Sequence, residues 1–395
     1  MSRIVVTGMG VISAIGNTVE ENRRALIKGT CGITTLGNFS SRFAGVMPFG
    51  EIKITTDTLK EQLHVNEQGV TRTMLLSLHA FNEAVADSKL STNEISSLDT
   101  AFISGNTVGG MCLTDEFYAD ARSKTNGSEY LTSYDSASVV MYVQDRYKMR
   151  GIISTFNTAC SSSANAIMYG ARLIQNGFAK RAIIIGADTL AKFTINGFNA
   201  LRILSDEPCR PFDKDRKGLN LGEGAACLVL EKEEDAAGKK IYATVSGHGN
   251  ANDSFHPSSL SAEGYGPVAA MQQALKRANL NANEIDFINA HGTATENNDE
   301  VESISMLKVF KEVPAFASTK GNTGHTLGAA GAIEAVYSIL SLTYQEVYPS
   351  LHFKNVIDGT SLIPANEYKK MSLQHVMSNS FGFGGNCTSL IFSKY

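Results

Sequence analysis

Cys160, His291, Lys320 and His325 are residues whose types could combine in one reaction. A thiolate is a strong nucleophile, and a neighbouring imidazole can donate a hydrogen bond to a developing negative charge. Cys160 lies in residues 151–177, GIISTFNTACSSSANAIMYGARLIQNG. There Ile152 and Ile153 read as a buried strand, Asn157 and Thr158 as a turn, and Ala164, Ile167, Ala171 and Ile174 as the apolar stripe of a helix. The unpaired first-turn N–H groups of that helix would favour thiolate at Cys160. His291 stands in Asn289-Ala290-His291-Gly292-Thr293-Ala294-Thr295, after a predicted strand at 286–289, at the strand end where α/β folds usually place ligands. Glu302, eleven residues further on, reads as the N3 partner of an Asp299 N-cap. Lys320 and His325 share Ser318-Thr319-Lys320-Gly321-Asn322-Thr323-Gly324-His325, and the tail carries the turn-rich Asn379-Ser380-Phe381-Gly382-Phe383-Gly384-Gly385-Asn386.

The elements that hold these residues come in two copies. Asn157-Thr158-Ala159-Cys160-Ser161 aligns with Asn322-Thr323-Gly324-His325-Thr326, and behind His325 the positions Ala329, Ile333, Val336 and Leu340 repeat the helical stripe. Val5-Val6-Thr7-Gly8-Met9-Gly10 echoes Thr244-Val245-Ser246-Gly247-His248-Gly249, and Phe102-Ile103-Ser104-Gly105 echoes Phe287-Ile288-Asn289-Ala290 in the same order. A duplicated strand-turn-helix unit would place Cys160 and His325 at equivalent helix N-termini, facing each other across a pseudo-twofold axis.

Residues 4–10 read as a buried strand entering a Gly turn that lacks the third glycine of a dinucleotide loop. Met74, Leu78, Phe81 and Val85 mark a helix, a strand follows at 100–103, and 111–147 reads as a helical excursion. The continuous apolar run 181–186 fits a sheet covered on both faces, which indicates a layered α/β fold. Residues 209–224, CRPFDKDRKGLNLGEG, form a Gly- and charge-rich loop, and the charged stretch 231–240 divides a first half, 1–240, from a second, 241–395.

With 395 residues and 43% hydrophobic content the chain can bury a large core. A net charge of -4 without a Lys/Arg tract argues against nucleic acid. Six cysteines without a CxxC pair fit a reducing compartment better than disulfides or zinc. No apolar run is read as approaching the roughly eighteen residues of a membrane span, so a soluble cytoplasmic protein without metal or cofactor is expected.

The motifs TACSSS at Cys160, AHGTAT at His291, KGNTGHTLGAAG at Lys320 and His325, and NSFGFGG at Phe383 make the chain similar, over essentially its whole length, to the elongating β-ketoacyl-acyl carrier protein synthases of thiolase fold. The resemblance implies two duplicated halves, each a mixed sheet covered by helices in αβαβα layers. It further implies decarboxylating condensation of an acyl primer on Cys160 with malonyl-acyl carrier protein, with no cofactor. In this family His291 and His325 would stabilise the enolate, the N–H groups of Cys160 and Phe383 would form the oxyanion hole, and Thr293 and Thr295 would bind pantetheine. Lys320 and Glu302 would set the field around His325 and hold it, and Val108 would line the acyl pocket. The implied partners are the carrier protein and a second copy of the chain, or a related subunit in a heterodimer.

The segment VNEQGVTRTM around Arg72 departs from the family in offering little of the basic patch that docks the carrier, leaving Arg122, Lys124, Lys214, Arg216 and Lys217 as available cations. A thiolase would need a second cysteine as acid/base, for which Cys387 is the candidate. A chain-starting enzyme would carry Asn in place of His325, and a non-catalytic partner subunit would usually lack the cysteine.

Overall fold

A computed structural model describes residues 2–38, 41–128 and 130–395. The first half supplies strands β1 (Ile4–Ser13), β2 (Thr100–Gly105), β3 (Ile153–Phe156), β4 (Arg181–Asp188) and β5 (Gly224–Lys232). The second supplies β6 (Ala243–Asn252), β7 (Phe287–Asn289) and β8 (Ala315–Ala317), the small ribbon β9 (Glu346–Val347) with β10 (Lys369–Lys370), and then β11 (His375–Phe381) and β12 (Asn386–Ser393). The ten main strands run β3-β2-β4-β5-β1-β6-β12-β11-β7-β8. Read outward-in, each half has its third strand at the edge, then its second, fourth, fifth and first. In each, the fifth strand is antiparallel to its neighbours while the second pairs in parallel with the third and fourth. The halves meet where β1 pairs β6, Val5 opposite Thr244 and Val6 opposite Ala243.

Helices Ser162–Gln175 and Ala330–Tyr344 form the central layer. Their apolar side chains share one cluster with the inner faces of both half-sheets, including Ile103, Ile184 and Leu228 from one and Phe287, Val376 and Leu390 from the other. Helices Arg72–Ser88 and Ser138–Tyr147 cover the outer face of the first half, and Tyr265–Ala278 and Glu296–Val309 that of the second. Five layers result.

Two readings of the sequence are corrected here. Gly8 and Gly10 do not open a turn; β1 continues through them to Ser13, with one register irregularity against β5 between Val6 and Gly8. A Cβ at these positions would stand 2.4 Å from the Ala84 carbonyl and 2.1 Å from that of Ala80, so the glycines let the outer helix lie against the strand. Their counterparts Gly247 and Gly249 meet Ala274 and Ala270 in the same way, at 2.4 and 2.1 Å. Secondly, Leu327–Tyr344 is by length and composition long and apolar enough to cross a membrane, yet 89% of that window is buried. A helix between two sheets has no wet face, so it is apolar all round.

Candidate active site

Strand β3 ends at Phe156 and helix Ser162–Gln175 begins six residues later, with Ala159 between them at φ 52°. This left-handed residue turns the chain sharply enough to hold Cys160 at the mouth of the helix, only 6% exposed. Burial pushes the Cys160 thiol up to about 11, against the opposing pull of Lys320 and of the N–H groups of Phe383 and Cys160 itself. The thiolate expected from the helix end is therefore not the resting state. Desolvation outweighs the partial charge of the helix, and the thiol rests neutral.

His325 Nε2 lies 3.0 Å from Cys160 Sγ. Its backbone is clamped by the charge-rich loop, the His325 N–H donating to Asn220 O at 2.7 Å and its carbonyl accepting from Gly222 at 2.9 Å. Cys160 and His325 face each other as the duplication implies, but their settings differ. His325 sits between the short helix Lys320–Thr323 and the turn Leu327–Ala329, five residues before the central helix starts at Ala330. Gly324, at φ 73°, makes the extra bend.

The His291 ring lies edge-on to that of His325, with centroids 5.4 Å apart. Lys320 Nζ is 3.3 Å from His291 Nδ1, donates to His291 O at 2.5 Å and pairs with Glu334. Burial first, and then the Lys320 charge, holds both imidazoles well below their usual range, so both are neutral at pH 7. An ammonium donating to Nδ1 places the His291 proton on Nε2. His325 Nδ1 is buried without a partner among the described residues, so nothing fixes its tautomer.

Lys320 and Glu302 hold His291 rather than His325. The Glu302 carboxylate accepts from the His291 N–H at 2.9 Å, the Gly292 N–H at 2.8 Å and Asn379 Nδ2 at 3.2 Å. Lys320 still acts on His325 through its charge. The capping box is also displaced. The helix starts at Glu296 with Thr295 as N-cap, so Asp299 lies inside the first turn and accepts from Phe212 and Ala294 N–H groups. Burial raises Glu302 and Glu334 alike to about 7.

These residues open into a cavity of about 520 Å³ lined by Cys160, His291, His325, Thr293, Thr295 and Phe383 among others. Thr293 and Thr295 hydroxyls are 2.8 Å apart, and Arg216 fixes their loop by donating to Thr295 O and Glu296 O. The Phe383 N–H acts on the Cys160 sulfur, and the Phe383 ring stacks on Phe198 at 5.7 Å. Val108 is not in the lining. It is buried in an adjoining apolar cluster with Leu190, Leu219 and Leu327, against which Phe198 packs. Cys387 is buried in β12, its thiol donating to Gly385 O, away from the lining. All six cysteines are free.

Sequence reasoning missed Glu334 and Phe198. Glu334 carried a signal, as the lone acid of an otherwise uncharged helix. Phe198 carried none, because aromatic residues are ordinary in helices. Arg72 is sealed in an ion pair with Glu223 at 2.7 Å, which removes it from any docking patch. Lys124, Lys214 and Lys217 are paired to Asp120, Asp358 and Glu207.

A buried thiol opposed by two neutral imidazoles, on a duplicated αβαβα frame, defines a thiolase-fold acyltransferase. Residues 1–236 match "Beta-ketoacyl synthase, N-terminal domain" and residues 242–354 match "Beta-ketoacyl synthase, C-terminal domain". The chain is 35% identical to "3-oxoacyl-[acyl-carrier-protein] synthase 2" of Vibrio cholerae, covering 99% of each. It is 34% identical to "3-oxoacyl-[acyl-carrier-protein] synthase, mitochondrial" of Arabidopsis thaliana, covering 99% of this chain and 93% of that protein. The solved structure "The ishigamide ketosynthase/chain length factor" superimposes with a TM-score of 0.92 at 28% identity, covering 100% of this chain and 99% of that one. The chain belongs to the β-ketoacyl synthase family.

Proposed function

We propose that this chain joins an acyl primer held on Cys160 to a malonyl thioester with loss of CO2, the two groups being delivered by an acyl carrier protein. The observation that carries the reading is the 3.0 Å approach of His325 Nε2 to Cys160 Sγ beside a second neutral imidazole in one cavity. In the first half-reaction the thiol proton passes to Nε2 as sulfur attacks the primer thioester. The N–H groups of Cys160 and Phe383 hold the tetrahedral oxyanion, and the departing carrier thiol takes the proton from His325. In the second, the malonyl C–C bond breaks to CO2 and an enolate whose oxygen accepts from Nε2–H of His291 and His325. Because its Nδ1 is unpartnered, His325 can serve first as acceptor and then as donor. The enolate carbon attacks the acyl thioester, Cys160 leaves as a thiolate and takes up from water the one proton that the net decarboxylating condensation consumes, and the β-ketoacyl thioester departs on the carrier. Lys320 and Glu302 fix His291, while Thr293 and Thr295 meet the pantetheine arm.

The two halves, 1–240 and 241–395, bring the nucleophile and the histidines respectively. A homodimer is the proposed assembly, supported by β3, a short half-buried strand at a sheet edge. A heterodimer is favoured by one observation, the solved ishigamide ketosynthase with its chain length factor, and native mass spectrometry separates the two. Free cysteines throughout support a reducing, cytoplasmic setting. Intact-mass detection of an acyl adduct on Cys160 from carrier-bound chains, followed by its release on adding malonyl-carrier, tests the function.

Val108, buried in the apolar cluster that adjoins the cavity rather than in its lining, is proposed to bound the acyl tail through that cluster. Two methylenes are worth about 1.6 kcal/mol, or roughly fifteenfold in preference. Val108→Phe should shift the kcat/KM profile to shorter primers and Val108→Gly to longer ones. A uniform loss at every length makes Val108 a packing residue only.

A further inference from the structure

We propose that Asn386 is a positioning residue for the condensation, its side-chain carbonyl tying the turn that carries Cys160 to the loop that carries Phe383 and so fixing the spacing of their two N–H groups. The inference rests on the reading of Cys160 as the acyl-carrying nucleophile and of those N–H groups as the oxyanion hole.

Residues 382–386 close on themselves, the Gly382 N–H donating to Asn386 O at 2.8 Å, so Phe383 is carried between Gly382 and the first residue of β12. The loop lies directly on the nucleophile turn. A Cβ on Gly382 would stand 2.6 Å from Thr158 O and 3.2 Å from the Cys160 nitrogen. Contact of this kind sets how close the two segments come but not how they are aligned along one another.

The Asn386 side chain supplies the alignment. Its Oδ1 accepts from Ser161 Oγ at 2.8 Å, Asn165 Nδ2 at 2.8 Å and Asn250 Nδ2 at 2.9 Å. Ser161 follows Cys160 and caps the central helix, Asn165 stands in the first turn of that helix, and Asn250 comes from β6, opposite Thr388 of β12. The donors are themselves held. Asn165 Nδ2 also reaches Thr158 Oγ1 at 2.8 Å, and Asn165 Oδ1 accepts from Thr388 Oγ1 at 2.8 Å and Asn250 Nδ2 at 3.0 Å. A connected network of directional bonds fixes one arrangement where apolar packing would tolerate several. Its members are all uncharged, so it sets geometry without adding a field at the sulfur.

The test compares two reactions of Cys160, each followed by intact mass. Acylation by octanoyl-N-acetylcysteamine passes through a tetrahedral oxyanion, whereas alkylation by iodoacetamide forms the C–S bond as iodide leaves and puts no negative charge on a carbonyl oxygen. Asn386→Ala should slow acylation about thirtyfold while alkylation changes by less than about threefold, as expected when oxyanion donors are displaced rather than removed. Ser161→Ala breaks the same link from the other side and should show the same split, and the double variant should be no slower than Asn386→Ala alone. For either single variant, an equal fall in both rates, or acylation at the wild-type rate, overturns the proposal, so the test holds even if Asn386→Ala does not fold. A wild-type chain that takes no acyl group on Cys160 overturns the nucleophile reading instead.

Discussion

Cys160 is a thiol kept neutral by burial with an imidazole nitrogen 3.0 Å away, which differs from a thiolate poised by a helix end. With the thiol pushed up to about 11, the thiolate fraction at pH 7 is small and grows with pH. Alkylation by iodoacetamide should therefore accelerate about tenfold per pH unit between 7 and 9. A plateau already reached by pH 7 would mean that the helix end prevails. Cys160→Ala should lose acyl transfer and condensation while keeping the fold, and a variant that still condenses would remove Cys160 from the mechanism. The histidines should separate. His291 touches Lys320 and, although a ring nitrogen lies within 4.8 Å of the sulfur, makes no described hydrogen bond to it, so His291→Ala is expected to keep Cys160 acylation and lose malonyl decarboxylation. His325→Ala, at 3.0 Å from the sulfur, should depress both. Equal acylation by the two variants in single-turnover mass measurements would contradict this division.

The central helices are the elements that bring Cys160 and His325 within reach of each other. They cross where a Cβ on Gly331 would stand 2.6 Å from the Ala164 nitrogen. Alanine there gains about 1 kcal/mol of helix propensity but overpacks the crossing by about 1–3 kcal/mol. Gly331→Ala should thus change stability by no more than about 2 kcal/mol while lowering kcat at least tenfold, because the helices part and the sulfur–imidazole distance grows. Denaturant unfolding and kcat measured together check this, and unchanged kcat would show that the crossing does not set the distance. The same logic explains β1 and β6. Paired glycines that sequence alone reads as a turn are strand residues, because a helix backbone 2.1 Å from the would-be Cβ is visible only once the layers are stacked.

Across the whole molecule the candidate site draws on both proposed halves, since Cys160 lies in residues 1–240 and His291, Lys320 and His325 in residues 241–395. Residues 1–240 and 241–395 produced as separate chains should each be inactive and regain condensation when co-expressed, held by the β1–β6 pairing and the shared central core. Activity in the first piece alone would break the assignment. That Cys160, His291 and His325 meet in one cavity, the duplication and most strands were legible in the sequence, because turn chemistry and apolar periodicity are local and each motif carries its own signal. Three things were decided only by tertiary structure. Lys320 and Glu302 serve His291 because packing sets side-chain partners across gaps of 29 and 11 residues. Glu334 joins them because a buried ammonium needs an anion, whatever its place in the chain. The protonation of Cys160 follows from how much water the assembled layers exclude, a property that no segment has by itself.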